Sequence, residues 1–134
     1  MSDIRASAPT DGEYDAAATL REALRRFARR TELETRARGL TPRAYQLLLM
    51  VKTGRRVRGR ASLAELEERL QLGKSTITEL VLRNEDAGLV QRELDPTRRR
   101  AISVRLTPAG ERRLADLVAA LGDDRKHLLE LLHR

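Results

Sequence analysis

The chain contains no cysteine and no tryptophan, and only three of its 134 residues are aromatic. Without cysteine there is no disulfide framework, no thiolate metal site and no thiol switch that answers to oxidants. With 40% apolar residues but 2% aromatic ones, the core has to be aliphatic, built from Leu, Val, Ile and Ala. Histidine is nearly as scarce: the only two, His127 and His133, lie at the extreme C-terminal end, which argues against a His-based catalytic or metal centre. No nucleophile–base pair, metal-ligand cluster or glycine-rich phosphate loop appears, so neither an enzyme nor a cofactor or metal is expected. No apolar run approaches about 18 residues, so no membrane span is expected. The opening segment MSDIRASAPTDGEYD lacks the basic-then-apolar pattern of a secretory signal, and a cytoplasmic location is the expectation.

Charge of one sign, by contrast, is abundant and concentrated. The net formal charge is +7. Residues 1–40 hold 8 basic and 7 acidic residues, residues 41–108 hold 14 against 8, and residues 109–134 hold 5 against 5. The surplus therefore sits in the middle of the chain between nearly neutral ends. That is the footprint of a phosphate-binding module carried between segments with another task. A general loading of arginine onto solvated surfaces is the competing explanation.

Residues 1–11 have little apolar content and read as a flexible lead. From Gly12 to Ala37 the text is helical, with Leu20, Leu24, Phe27 and Ala28 on one face, and Gly39 is a stop signal. LTPRAYQLLLMVKTG predicts a second helix, capped by Thr41, with Pro42 in its first position and Gly54 at its end. Its Leu47–Val51 run is apolar on every side and should be enclosed. GRRVRGR, residues 54–60, reads as a solvated connection carrying Arg55, Arg56, Arg58 and Arg60. A third helix starts from Ser62, whose spacing to Glu65 is that of a capping box. A tight break at residues 71–74 leads to a fourth helix capped by Ser75, which Gly88 ends in a left-handed conformation. LVQREL and AISVRL alternate and make a two-stranded hairpin around the tip DPTRRR. Thr107 and Pro108 start a fifth helix with the stripe Leu114, Leu117, Val118 and Leu121. Gly122 breaks it, and a last helix spans roughly 123–133.

Helix, tight turn, helix, then basic hairpin is the order of a winged helix-turn-helix. Ile77, Leu80, Val81 and Ala87 of the fourth helix fall on one face and should pack inward. Ser75, Thr76, Thr78, Glu79, Leu82, Arg83 and Asp86 remain for the opposite surface, with Lys74 adding a cation at its N-terminal end. Short hydroxyls near a helix N-terminus can approach base edges and phosphates at small entropic cost, and the helix dipole favours phosphate there. The adjacent guanidinium groups of Arg98, Arg99 and Arg100 repel one another, a cost relieved in the strongly negative minor groove of DNA. Asp95 can accept from the turn backbone or pair with an arginine. Arg55, Arg56, Arg58 and Arg60 are candidate phosphate contacts. Glu79 opposes phosphate; it can accept from a cytosine amino group or pair with Arg83 one turn on.

Over roughly residues 13–134 the sequence resembles the MarR family of bacterial winged-helix regulators. The segments that carry the likeness are LTPRAYQLLL, ASLAELEERLQLGKSTITELV, AGLVQREL and DPTRRRAISVRLTPAG, in that order. The resemblance implies a mainly α fold with a small β-hairpin wing, an N-terminal dimerisation helix over 12–40, a winged helix-turn-helix over 41–107 and C-terminal dimerisation helices over 108–134. It implies a homodimer on a pseudo-palindromic operator in double-stranded DNA, a repressor being expected, often released by a small acidic or aromatic effector. By position, Ser75, Thr76, Thr78, Glu79 and Arg83 fall on the family's recognition helix, and Asp95, Arg99 and Arg100 on its wing motif. Three positions depart from the pattern. Arg98 replaces a common acidic residue, Leu82 a polar one and Asn84 an apolar one. An unpaired Asn84 amide on the packed face would cost about 1–3 kcal/mol. The stripes Leu20, Leu24, Phe27 and Leu114, Leu117, Val118, Leu121, with Leu128 and Leu132, exceed what one small winged module should bury, and a two-fold partner is the economical cover. The alternative function is a winged-helix adaptor that docks an acidic protein and ignores DNA; Glu79 and Leu82 favour it.

Overall fold

The structure is a computed structural model that describes residues 7–95, 98 and 101–133. Among these residues the elements run α1 (Asp11–Ala37), α2 (Pro42–Lys52), β1 (Arg60–Ser62), α3 (Leu63–Leu70), α4 (Lys74–Asp86), β2 (Val90–Leu94), β3 (Ile102–Leu106), α5 (Pro108–Ala120) and α6 (Gly122–Leu132).

Helix α1 begins at Asp11, because Thr10 closes a full capping box with Glu13: the Glu13 N–H donates to Thr10 Oγ1 at 3.1 Å and the Thr10 N–H to Glu13 Oε2 at 3.2 Å. Its first twelve residues are exposed on every side, and its buried residues, Ala23, Thr31 and Thr35, come only later. Farther on, Arg30 and Arg38 share Glu34 at 3.0 and 2.7 Å; Arg30 also reaches Asp124 of α6 at 3.3 Å and Arg38 reaches Asp116 of α5. These half-exposed pairs orient α1 on the C-terminal helices more than they stabilise it.

The two Thr-Pro starts behave as expected. Thr41 accepts from the Ala44 N–H and Thr107 from the Gly110 N–H, both at 3.1 Å, with Pro42 and Pro108 opening α2 and α5. In α2, Leu47, Leu48 and Val51 are fully buried, whereas Leu49 and Met50 are only partly so. They meet Ala61, Leu66, Ile77, Leu80, Val81, Leu89, Val90 and Val104 in one aliphatic core. Leu114, Leu117 and Leu121 belong to that same core and are buried within the single chain. The expectation that they need a partner chain is thus corrected: α5 lies against α2 and β3, and Lys52 pairs with Glu111 across the joint at 2.8 Å.

Arg69 of α3 closes the C-terminal end of α2, donating to the carbonyls of Met50 and Thr53 at 3.0 and 3.1 Å while pairing with Glu65 at 3.0 Å. Cations suit a helix C-terminus, where carbonyls lack partners. Ser62 caps α3 by accepting from the Glu65 N–H at 3.1 Å. The break between α3 and α4 turns on Gln71, a left-handed residue at φ 55°.

Three further expectations are corrected, and the open question of the Asn84 amide is answered by a backbone bond. The cap of α4 is Gly73, with no side-chain bond, and Ser75 lies inside the helix. Ala87 is exposed, because it is the C-cap beyond the last packed turn. The Asn84 amide is buried yet satisfied: it donates to the Leu80 carbonyl at 2.8 Å. The hairpin is not alone either. The supposed solvated connection ends in β1, which pairs antiparallel with β3 to give the sheet order β1-β3-β2, with Arg60 opposite Arg105 and Ser62 opposite Ser103. Gly54 permits this return: a β-carbon there would overlap the Arg60 carbonyl. Gly88 ends the α4 region at φ 76°.

Candidate nucleic-acid interface

The periodicity of α4 divides it cleanly. Ile77, Leu80, Val81 and Asn84 face the core, and Lys74, Ser75, Glu79, Leu82 and Arg83 are exposed, with Thr76 and Thr78 half-buried at the margin. Because Gly73 brings no capping side chain, the first N–H groups of α4 keep their donor capacity beside Lys74, Ser75 and Thr76. Glu79 takes the intramolecular option: it pairs with Arg83 at 3.0 Å, an exposed contact one turn apart. Between the start of α2 and this face lies a cleft of about 360 Å³ lined by Thr41, Pro42, Arg43, Thr76, Glu79, Leu80 and Arg83.

The hairpin carries the second part. Arg98 is exposed at its tip, and its carbonyl accepts from the Ala101 N–H at 3.2 Å. Arg99 and Arg100 lie outside the described residues. Asp95 pairs with Arg56 of the preceding loop at 3.9 Å, so the structure brings together a wing residue and a member of the second basic cluster. Arg55 and Arg58 are exposed, and the Arg55 backbone N–H donates to Glu65 at 3.1 Å. Arg60 is engaged: Glu93 pairs with Arg60 at 3.2 Å through one oxygen and with Arg105 at 3.3 Å through the other. The Arg60 contact is ionic without hydrogen-bond geometry, which leaves that Glu93 oxygen without a hydrogen-bond partner. Reasoning from the sequence missed Arg105 and Glu93, although strand alternation puts both on one sheet face.

The predicted dimerisation residues split. Leu20, Leu24 and Leu132 are 44%, 39% and 58% exposed, Phe27, Val118 and Leu128 are half-buried, and Leu114, Leu117 and Leu121 are core. Two adjoining cavities of about 590 and 280 Å³ run between α1 and α6 and share Ala23 and Leu128.

A family model described as MarR family matches residues 38–101, the span from the end of α1 through the wing. Over residues 38–101 the chain matches the MarR family, and its whole fold is similar to that of solved MarR-family regulators. Members of this family are transcriptional regulators rather than enzymes. The chain is similar over 94% of its length to 84% of AbsC, a MarR family transcriptional regulator from Streptomyces coelicolor, at 27% identity and a TM-score of 0.74. It is also similar, at 28% identity and a TM-score of 0.66, to a probable transcriptional regulator from Pseudomonas aeruginosa, covering 85% of this chain and 82% of that one. A cysteine-to-serine mutant of MarR from E. coli, solved in complex with operator DNA, shares the fold at 17% identity and a TM-score of 0.69, over 91% of this chain and 85% of that one. No curated protein matches the chain at a significant level by sequence. Among the described residues no helix is long and apolar enough to cross a membrane.

Proposed function

We propose that this MarR-family protein is a cytoplasmic homodimer that binds a pseudo-palindromic site in double-stranded DNA and represses transcription there. The observation that carries the reading is the hydroxyl- and cation-bearing face of α4 beside a basic hairpin within one winged module. In this reading Lys74, Ser75, Thr76, Thr78 and Arg83 enter the major groove, with Arg83 steadied by Glu79. Arg98, with Arg99 and Arg100, reaches the adjacent minor groove, and Arg55, Arg56 and Arg58 contact phosphates. Arg60 contributes less than its charge suggests, because Glu93 already neutralises it.

The homodimer is supported by the exposed leucines of α1 and α6 and the apolar groove between those helices, whose contiguous surface a second copy would cover. An effector is assigned to the cleft beside α4. Arg43 and Arg83, with Pro42 and Leu80, suit a small aromatic acid whose carboxylate displaces Glu79 from Arg83, and an occupant there would compete with the duplex.

The test is selection of bound duplexes from a random pool, then affinity measured across a salt series. Affinity should fall steeply with salt, as counterion release requires. Replacing Arg99 and Arg100 by Ala should weaken all duplexes alike, whereas Thr76→Ala or Thr78→Ala should alter base preference. Light scattering should return two copies per particle. Absence of duplex binding at low salt refutes the reading and favours the adaptor.

A further inference from the structure

Strand β2 is the edge of the three-stranded sheet, hydrogen-bonded only to β3. An edge strand keeps outward N–H groups that need a partner. At Arg92 that partner is the Glu85 carboxylate, from the last turn of α4. Glu85 Oε2 accepts the Arg92 backbone N–H at 3.1 Å, while Oε1 accepts from Arg92 Nε at 3.0 Å and lies 3.0 Å from Nη2. One carboxylate therefore grips the strand by main chain and side chain together.

The position of Glu85 makes this grip informative. A carboxylate in the last turn of a helix opposes the helix dipole, so residue 85 is a poor place for an acid on local grounds. Its charge is compensated from the wing, by the strand that carries the hairpin tip. The chain between them turns sharply through Ala87 and the left-handed Gly88. Main-chain bonds from Gly88 to Glu85 and from Leu89 to Asn84, with buried Leu89 and Val90, hold the base of the wing. Farther out, at Arg92, Glu85 is the α4 side chain that ties the strand back to the helix. On the opposite face of the sheet Glu93 holds Arg60 and Arg105, which binds the three strands to one another but not to α4.

We propose that Glu85 and Arg92 are positioning residues that lock the wing at a fixed angle to α4, so that both reach one duplex together. The functional half of this inference rests on the duplex-binding reading above; the geometric half does not. Neither side chain reads a base. Their effect is to lower the cost of ordering the wing when α4 is already seated, which is preorganisation.

The absence of cysteine makes a direct test possible, since two introduced thiols would be the only ones. Ser75→Cys and Leu94→Cys, at the exposed start of α4 and the exposed end of β2, carry nitroxide labels for a pulsed dipolar distance measurement on the full chain without DNA. The expected result is a narrow distribution in the parent that broadens about twofold with Glu85→Ala or Arg92→Ala. Glu85→Gln, which still accepts one N–H, should fall between and serves if the alanine variant does not fold. Melting temperatures should stay within about 3 °C of the parent, because the pair is part-exposed. In unlabelled Glu85→Ala and Arg92→Ala proteins that keep Ser75 and Leu94, hydroxyl-radical footprints on a selected duplex should lose minor-groove protection and keep major-groove protection, with affinity down about tenfold relative to the unlabelled parent. An unchanged distance distribution overturns the lock, whatever happens with DNA. A broadened distribution with an unchanged footprint overturns its role in positioning. A parent that binds no duplex refutes the functional reading, and the distance result still judges the lock.

Discussion

Gly110→Ala should be among the most damaging single-methyl additions in this chain. Gly110 is the third residue of α5, and a β-carbon built there overlaps the Leu89 carbonyl at the start of the wing. The obstacle is backbone, so no side chain can swing away. Helix α5 would have to retreat by roughly 1 Å to reach ordinary contact. That retreat strains the Thr107 N–H bond to the Leu89 carbonyl, 3.1 Å long, and the Thr107 hydroxyl bond to the Gly88 carbonyl. Two weakened hydrogen bonds at about 1 kcal/mol each, with about 1–3 kcal/mol for the overpacked joint, offset by about 1 kcal/mol of better helix propensity, leave a loss of about 2–4 kcal/mol. For a chain of this size that is a melting point lower by roughly 10–15 °C. Gly122→Ala is the control: it opens α6, and a β-carbon there meets the Arg125 guanidinium at 3.6 Å, an ordinary van der Waals contact. It should hold or slightly raise the melting point in circular dichroism melts at 222 nm. A Gly110→Ala protein that melts within a few degrees of the parent would refute the argument that α5 and β2 meet through bare backbone.

Three further outcomes are expected. Asn84→Leu should change stability by less than about 1 kcal/mol in urea titrations, since it removes a buried donor together with its one bond, while the Asn84 carbonyl still caps through Leu89; a loss several times larger would mean the amide supports more than its own helix. Tyr45 is buried, and that burial raises its phenol pKa above the ordinary range despite the nearby Arg125, which lowers it. A raised folded-state pKa contributes stability that is intact below the unfolded phenol value and lost as pH climbs through the folded one, so unfolding free energy should drop above about pH 10 and Tyr45→Phe should remove that drop. Glu93→Gln should free Arg60 and Arg105 for phosphate, raising affinity for random duplex at low salt several-fold and steepening the salt slope by about one to two counterions; filter-binding titrations at several salt concentrations measure both.

The helices were readable because their signals are local. Thr41-Pro42 and Thr107-Pro108 announce two of them, and the leucine intervals of α3 and the hydroxyl face of α4 follow from turn geometry alone. The cap of α4 was misread for the converse reason. Ser75 has the right chemistry, but the left-handed turn at Gln71 brings Gly73 to the capping position, and the helix starts two residues sooner. Strand β1 left no local trace, since three residues cannot establish an alternation, and it exists because β3 offers an edge more than forty residues later. Leu114, Leu117 and Leu121 form a visible stripe, yet periodicity states that a face is buried and not what buries it. The carboxylate contacts of Glu85 and Glu93 depend on register between distant segments, so charge counting alone reads Arg60 as a candidate phosphate contact and does not single out Arg92.

The opening half of α1 has a consequence for the fate of the protein in a cell. A dozen exposed residues are at the margin of the length at which a helix persists alone in water, about 12–15 residues, and what steadies them is the capping box, the rest of the 27-residue helix and the apolar side of α6. Its opening turns should therefore fray before the rest of α1, and more readily in a lone copy than in the proposed homodimer. Proteases cleave frayed segments far faster than wound ones, so surplus copies would be trimmed while assembled ones survive. Limited proteolysis along a dilution series, with cleavage ahead of Ala23 rising as the protein is diluted, would register this quality control directly.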